Sequence, residues 1–159
     1  MLLSMYKVVT SDRLMNYALW LLGRRQYTEF QITKKITDKF KPDPELVKKI
    51  IDRLKELRYL DDADFVKSWL NYRTQSSPRG RFKLQYELKQ KGIGKDLLQK
   101  VIQDTEFDET MACKDAARRK LKLLKKSLTR QQRQQKLGLF LTARGFAWDT
   151  IKQALAELD

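Results

Sequence analysis

Carboxylates that could hold a metal ion or activate water occur close together at one point of the chain, as Asp61, Asp62 and Asp64. Such a cluster would suit a two-metal hydrolytic site. It also stands where a helix is expected to begin, and there carboxylates accept from unpaired N–H groups and favour the helix dipole. The chain has no histidine, which removes the commonest general base and metal ligand. We therefore interpret the three aspartates as helix-start residues and expect no enzyme activity, cofactor or metal.

Cys113 is the only cysteine, so no disulfide can form within the chain. It precedes a basic stretch in which a reactive, low-pKa thiol is conceivable, but a small buried residue is the commoner role of a single cysteine. The first residues do not resemble a signal peptide, and no apolar run approaches membrane length. These features predict a soluble protein of the reducing cytoplasm. We also expect it to be a monomer.

Positive charge dominates the surface chemistry. The 159 residues include 34 Lys and Arg against 20 Asp and Glu, a net charge of +14. The densest run, Lys114–Lys136, has ten basic residues and only one acidic residue, Asp115. A charge run of this kind is often a solvated helix face. With so large an overall surplus it equally indicates a polyanionic partner, either nucleic acid or an acidic protein surface.

Candidate partner-binding residues fall into two basic groups, one in the middle of the chain and one near its end. In the middle, Arg79-Gly80-Arg81 follows a Ser-Ser-Pro turn, and we expect both guanidinium groups to project from an exposed loop. Arginine forks suit carboxylates and phosphates alike, and the sequence does not choose between them. The residues proposed for contact with such a partner are Arg73, Arg79, Arg81, Lys83, Lys91, Arg118, Arg119, Lys122, Arg130 and Arg133.

Three aromatic residues accompany the middle group: Trp69, Tyr72 and Tyr86. They could stack on the bases of a nucleic acid. Phe65, Trp69 and Tyr72 follow one another at helical spacing, however, and Tyr86 lies among the apolar residues of the next helix. The spacing therefore favours a structural role for all three in the core.

Apolar residues recur with helical period along the whole chain, and no alternating pattern is long enough for a strand. A possible capping box of Thr28 and Gln31 opens the second helix, and the clearest stripe predicts a third helix over Glu45–Leu57. Further helices are predicted around the middle section, and in the last section from about Glu109 to Ser127, from Thr129 to Ala143 and from Trp148 to Leu158. The fold class is all-α.

The helical pattern repeats. The block of Leu88, Gly92 and Ile93 recurs 53 positions later as Leu141, Gly145 and Phe146. The first section follows the same pattern at a spacing of 51 to 52, with Phe40 in place of the glycine and the break supplied by Pro42 and Pro44. A fixed period of this length predicts a tandem array. We expect a lead-in over 1–10 and three three-helix repeats over 11–60, 61–106 and 107–159.

Several motifs in the same order resemble the RecX family. The opening run Tyr17–Thr28 reads YALWLLGRRQYT, the middle carries Tyr59–Phe65 (YLDDADF), Arg73 and Glu87–Ile93 (ELKQKGI), and the last repeat closes with Leu141 and Arg144–Phe146 (RGF). The resemblance implies three tandem three-helix repeats forming an elongated, curved array. It also implies a negative regulator of the RecA recombinase that binds the groove of the RecA–DNA filament. Such regulators inhibit ATP hydrolysis, strand exchange and co-protease activity, and so modulate recombination, DNA repair and the SOS response.

Two other interpretations stay open at this stage. A stand-alone helical DNA-binding or transcription-regulating module predicts tight, strongly salt-dependent binding to naked DNA. A scaffold for a different acidic protein predicts little affinity for either DNA or RecA. The sequence leaves unsettled which basic residues contact recombinase and which contact single- or double-stranded DNA.

Overall fold

The computed structural model describes residues 9–158, and within them every regular element is a helix. The expected lead-in falls largely on residues 1–8, outside this range. The described helices are α1 (Ser11–Leu22), α2 (Glu29–Phe40), α3 (Pro44–Glu56), α4 (Asp62–Ser76), α5 (Arg81–Lys89), α6 (Lys95–Asp104), α7 (Glu109–Leu121), α8 (Arg130–Ala143) and α9 (Trp148–Ala156). The all-α prediction is confirmed. No helix of the described chain is long and apolar enough to cross a membrane.

Side-chain caps fix where many of these helices begin. Thr28 accepts from the Gln31 amide, and the Gln31 side chain accepts from the Thr28 amide, so the predicted capping box is confirmed. Thr129 and Gln132 form the same arrangement at α8. Asp43 accepts from the Glu45 amide, with Pro44 in the first turn where its missing N–H costs nothing. Each cap satisfies amides that the helix itself leaves unpaired.

The chain divides into two compact units. The first comprises residues up to Phe65 together with Lys91–Ile93, and the second comprises Val66–Gln90 and the residues from Gly94 onward. In the first, α1, α2 and α3 contact one another around a core that includes Leu14, Ile32, Ile36 and Leu54. In the second, α7, α8 and α9 contact one another, with small residues of α7 facing larger apolar residues of α8 and α9. Helices α5 and α6 also pack together within the second unit.

The repeat is visible in the backbone. Gly92 and Gly145, 53 positions apart, both follow the second helix of their repeat with φ of +83° and +80°. Their flanking residues Ile93 and Phe146 are equally buried. In the first repeat the corresponding turn has its positive φ at Lys41, one position after Phe40, so a lysine rather than a proline supplies the left-handed conformation there; Arg58, at the end of the same repeat, also has a positive φ.

Helix α7 is shorter than predicted. It ends at Leu121, six residues before Ser127, and 122–128 form turns instead. Leu123, just beyond the end of α7, is 79% exposed and is not part of the core. A helix end also suits the last turn of α7, because Arg118, Arg119 and Lys120 lie beside its unpaired carbonyls.

The prediction that Tyr72 and Tyr86 belong to the core is wrong, because both are more than half exposed. In α5, Phe82 and Tyr86 share one face, while Leu84 and Leu88 share the other. Only one face can be buried, and the two leucines occupy it with no exposed surface. In α4, Val66 and Leu70 define the buried stripe; this leaves Trp69 half-buried and Tyr72 outside.

The left-handed glycine turns should be intolerant of any side chain. A Cβ on Gly145 would overlap the backbone and Cβ of Lys83, and φ of +80° strains every L-residue. We expect Gly145→Ala to lower the free energy of unfolding by about 2 kcal/mol or more. Gly138 is the matched control, because it lies inside α8 with its nearest non-local atom at 3.9 Å. Gly138→Ala should stabilise the protein by about 0.5–1 kcal/mol, and chemical denaturation that moved both variants in the same direction would contradict this account.

Cys113 is fully buried in the second unit among Ala112, Ala116 and Ala117. Burial, with a smaller effect of Glu109, raises the pKa of its thiol to about 11. The structural role predicted for this cysteine is confirmed. We expect native protein to be alkylated far more slowly than unfolded protein at pH 8. Because the folded pKa is raised, stability contributed by the neutral thiol should be lost between about pH 9, where the unfolded thiol ionises, and about pH 11. Native alkylation as fast as that of denatured protein would show an accessible thiol.

Candidate binding site

The connection between α4 and α5 is packed against the last repeat inside the second unit. Pro78 and Gly80 are buried, and the Gly80 amide donates to the Arg144 carbonyl at 3.0 Å. A Cβ on Gly80 would overlap the Gly145 carbonyl, so the two backbones approach as closely as glycine allows. The prediction that both guanidinium groups project from an exposed loop is therefore wrong for Arg79, which is half-buried, and confirmed for Arg81, which is exposed.

An arginine cluster lies at this connection, formed by Arg73, Arg79 and Arg144 beside Glu87. Arg73 Nε lies 2.9 Å from Glu87 Oε2, and Arg79 Nε lies 3.8 Å from Glu87 Oε1. The side chains of Arg73 and Arg79 are 20% and 23% exposed. They keep part of their surface accessible, but they are held far more tightly than residues of a free loop would be.

Arg144 reaches the connection from the end of α8. Its Nη1 donates to Ser77 Oγ at 2.8 Å and to the Pro78 carbonyl at 3.2 Å, and its guanidinium carbon lies 4.4 Å from the centre of the Phe140 ring. Burial lowers the pKa of Arg144 from its usual value, and the nearby charges of Arg79, Arg119 and Arg73 lower it further. The group remains a cation at any ordinary pH, so the cluster gathers more positive than negative charge.

Arg81 and Arg119 are exposed but have acidic partners. Arg81 Nε lies 3.3 Å from Glu109 Oε2, and its amide donates to Glu109 Oε1 at 2.7 Å. Arg119 Nη2 lies 2.7 Å from Asp115, and Arg119 Nη1 donates to the Ser76 carbonyl at 3.2 Å. Both arginines therefore combine a structural contact with an accessible charge.

Four of the other sequence-predicted residues form an outer basic patch, defined as Arg118, Lys122, Arg130 and Arg133, and all are exposed. Arg118 and Lys122 lie at the end of α7, and Arg130 and Arg133 lie in the first turns of α8. The sequence has ten basic residues and no acidic residue from 116 to 148. Such a stretch attracts phosphates or carboxylates over a distance of roughly one Debye length, about 8 Å at physiological salt.

The last two predicted residues lie apart from this patch. Lys83 is half-buried in α5, with its Nζ 5.5 Å from the centre of the Tyr86 ring. Lys91 belongs to the first compact unit, where its carbonyl accepts from Thr28 Oγ1 at 2.6 Å. The structure thus brings nine of the ten predicted residues into the second unit and places Lys91 in the first.

The aspartates at the start of α4 act as caps. Asp61 Oδ1 accepts from the amides of Ala63 and Asp64 at 2.9 and 3.1 Å. Asp62 Oδ1 accepts from the Glu29 amide at 2.9 Å and so serves the start of α2 as well. Burial raises the pKa of Asp62, and the Glu29 hydrogen bond opposes that effect. The capping interpretation is confirmed for Asp61, whereas the hydrogen bond of Asp62 caps α2 and not its own helix.

The sequence did not identify Arg144 as part of a charged site, although the structure places it at the centre of the cluster. The repeat alignment matched it to Lys91 and so noted a basic residue before each glycine, which was the available signal. Nothing in the spacing showed that Arg144 meets the 76–80 connection more than 60 residues away. The partner of Arg81, Glu109, was missed for the same reason.

Comparison with known proteins agrees with this architecture. A family model described as RecX, second three-helix domain, matches residues 61–102, and one described as RecX, third three-helix domain, matches 108–155. Together they cover more than half of the chain. The fold is also similar to a crystal structure of RecX from Lactobacillus salivarius, with a TM-score of 0.79 and 19% identity over 94% of this chain and 96% of that one. A second RecX crystal structure gives a TM-score of 0.76 and 22% identity, over 91% of this chain and 72% of that one.

Curated relatives extend the agreement to the sequence itself. The chain is 35% identical to the regulatory protein RecX of Prosthecochloris aestuarii over 144 residues, which span 91% of this chain and 92% of the relative. It is 32% identical to the regulatory protein RecX of Chlorobium phaeobacteroides, over 89% of this chain and 90% of the relative. Sequence, fold and the tandem three-helix organisation agree, and the chain belongs to the RecX family of regulatory proteins.

Proposed function

We propose that this protein is a negative regulator of a RecA recombinase in the bacterial cytoplasm. It binds in the groove of the RecA–DNA filament and inhibits ATP hydrolysis, strand exchange and co-protease activity. Family membership supports the regulatory role. The observation that carries the contact mode is the stretch from 116 to 148, which has ten basic residues and no acidic one and includes the exposed outer basic patch.

The proposed mechanism is electrostatic bridging. Cations of the outer basic patch and the accessible arginines at the α4–α5 connection pair with acidic groups of neighbouring recombinase subunits and with DNA phosphate. A ligand that binds one arrangement of the filament better than another shifts the filament toward that arrangement. Holding adjacent subunits in one arrangement slows the changes that hydrolysis and strand exchange require. In this mechanism surface charge carries the activity.

Exposed aromatic residues favour one alternative, a stand-alone DNA-binding module. Tyr72, Phe82 and Tyr86 are each more than half exposed, and a cation lies beside each of the two tyrosines. Aromatic rings next to cations suit the bases and phosphates of a single strand. This alternative requires tight binding to naked DNA with a steep salt dependence, whereas the filament regulator requires inhibition at a protein concentration far below that of the recombinase.

The first prediction separates these functions. With DNA in excess, the protein titrated well below one copy per recombinase should strongly inhibit DNA-dependent ATP hydrolysis by the cognate RecA, because one bound copy affects several subunits. Steady-state hydrolysis at a series of ratios measures this. Inhibition only at ratios that coat the DNA, together with tight binding to bare DNA, would establish the alternative.

The second prediction tests the outer basic patch. Arg130→Glu with Arg133→Glu should raise the half-inhibitory concentration by about tenfold, since two exposed ion pairs are each worth up to about 1 kcal/mol. Acidic residues suit the N-terminal turns of α8, so the fold should persist, as circular dichroism can verify. Lys48→Glu with Lys49→Glu is the matched control, with the same change of charge on exposed residues of α3. Equal loss in both double variants would mean that net charge alone matters, and no loss in either would remove the patch from the mechanism.

A further inference from the structure

The charge of the arginine cluster is not balanced by the residues around it. Arg73 and Arg79 share a single carboxylate, Glu87, and Arg144 contacts a hydroxyl and a carbonyl but no carboxylate that the structure describes. Two other acids of this unit, Asp115 and Glu109, are paired with Arg119 and Arg81. Three permanent cations therefore face one anion at a partly buried connection, where charges repel more strongly than in water.

Hydrogen-bonding capacity is also left over. The Nε atoms of Arg73, Arg79 and Arg144 are buried, and none makes a hydrogen bond of good geometry to any described residue. Glu87 Oε2, the oxygen nearest Arg73 Nε, is also buried without such a hydrogen bond. The short Arg73–Glu87 distance is thus an ion pair without directional bonding. Buried polar atoms in a native protein are usually satisfied, and exceptions call for a partner.

The cluster can be reached from solvent. About a fifth of the Arg73 side chain and nearly a quarter of the Arg79 side chain are exposed. Arg144 is positioned by Ser77 and Pro78, so its guanidinium is oriented before any ligand arrives. Pre-oriented guanidinium groups bind oxyanions with paired, charge-assisted hydrogen bonds. A tetrahedral oxyanion with one or two negative charges matches the surplus charge, and its several oxygens can meet more than one fork.

We propose that the arginine cluster of Arg73, Arg79 and Arg144 is a binding site for a phosphate group, at the contact between the α4–α5 connection and the end of α8. The phosphate belongs either to a nucleic-acid backbone or to a free phosphate. Binding there adds a bridge between Arg144 and the arginines of the middle repeat, so it stabilises the second compact unit. This site does not depend on recombinase binding and is tested with the protein alone.

Thermal unfolding in inorganic phosphate tests the site, with chloride and acetate of equal ionic strength as comparators. At ten times the dissociation constant, phosphate should raise the melting temperature by about 3–6 °C. Arg79→Gln should weaken the phosphate response about tenfold in affinity, equivalent to one hydrogen bond between charged groups. Arg133→Gln makes the same charge change outside the cluster and should respond as the unmodified protein does.

Glu87→Gln separates an effect on phosphate binding from a general loss of stability. It removes the one carboxylate that competes for Arg73 and Arg79, so affinity for phosphate should increase several-fold even if the basal melting temperature falls. Equal responses to phosphate, chloride and acetate in the unmodified protein would overturn the proposal. So would a Glu87→Gln variant with unchanged or weaker phosphate affinity.

A short single-stranded oligonucleotide identifies the source of the phosphate. If it binds, is displaced by inorganic phosphate and is weakened by Arg79→Gln but not by an equal charge change at Lys48, the ligand is a phosphodiester. If phosphate stabilises the protein while oligonucleotide binding is indifferent to Arg79→Gln, the ligand is a free phosphate. Recombinase inhibition is measured separately, so failure of one proposal leaves the other intact.

Discussion

The structure depends on a contact that occurs twice. In each case the carbonyl of the residue before a left-handed glycine accepts a hydrogen bond from the residue that opens the second helix of the preceding repeat. In the first unit Thr28 Oγ1 donates to the Lys91 carbonyl, and Phe30 lies against Gly92. In the second unit the Gly80 amide donates to the Arg144 carbonyl, and Lys83 lies against Gly145. Buried backbone groups must be satisfied, so each contact ties together two distant stretches of chain within its own unit.

The two contacts use different chemistry for the same purpose. Thr28 caps α2 and is fully buried, so its hydroxyl accepts from Gln31 and donates to Lys91 at once. Gly80 opens α5 with no side-chain cap and relies on close approach of two backbones. The absence of a Cβ on the left-handed glycine is common to both. Tandem repeats stabilise one another through such neighbour contacts, because a single three-helix unit cannot bury its apolar face alone.

The basic residues of the second unit are of two kinds, those at the Gly80–Arg144 contact and those outside it. Arg73, Arg79 and Arg144 are held at the connection between the middle and last repeats, where their surplus charge remains in a partly buried place. The residues of the outer basic patch are exposed, and their charges act over distance. The held arginines favour short-range recognition of an oxyanion, whereas the patch favours association with any acidic partner.

Local chemistry was sufficient for much of the fold. The Thr28–Gln31 box, the Thr129 and Asp61 caps and the apolar stripe of α3 each follow from residues close together in the sequence, and each is confirmed. Local patterns failed where two solutions competed. Both faces of α5 are apolar at four-residue spacing, and packing alone decided that Leu84 and Leu88 are inside and Phe82 and Tyr86 outside. The apolar pattern also extended α7 past Leu121, because a leucine in solvent looks the same in sequence as one in a core.

The sequence by itself determined the all-α class, the 53-residue repeat and the positive surplus, because helical period, glycine spacing and charge are properties of neighbouring positions. Only the tertiary structure decided which basic side chains pair with which acidic ones. Glu87 and Glu109 each meet an arginine from another part of the chain, and Arg144 crosses more than 60 residues to reach Ser77. Thr28 and Thr129 show the same limit: identical capping boxes become a buried contact between repeats in one case and an exposed helix start in the other. Distance in space, which local sequence does not encode, makes that difference.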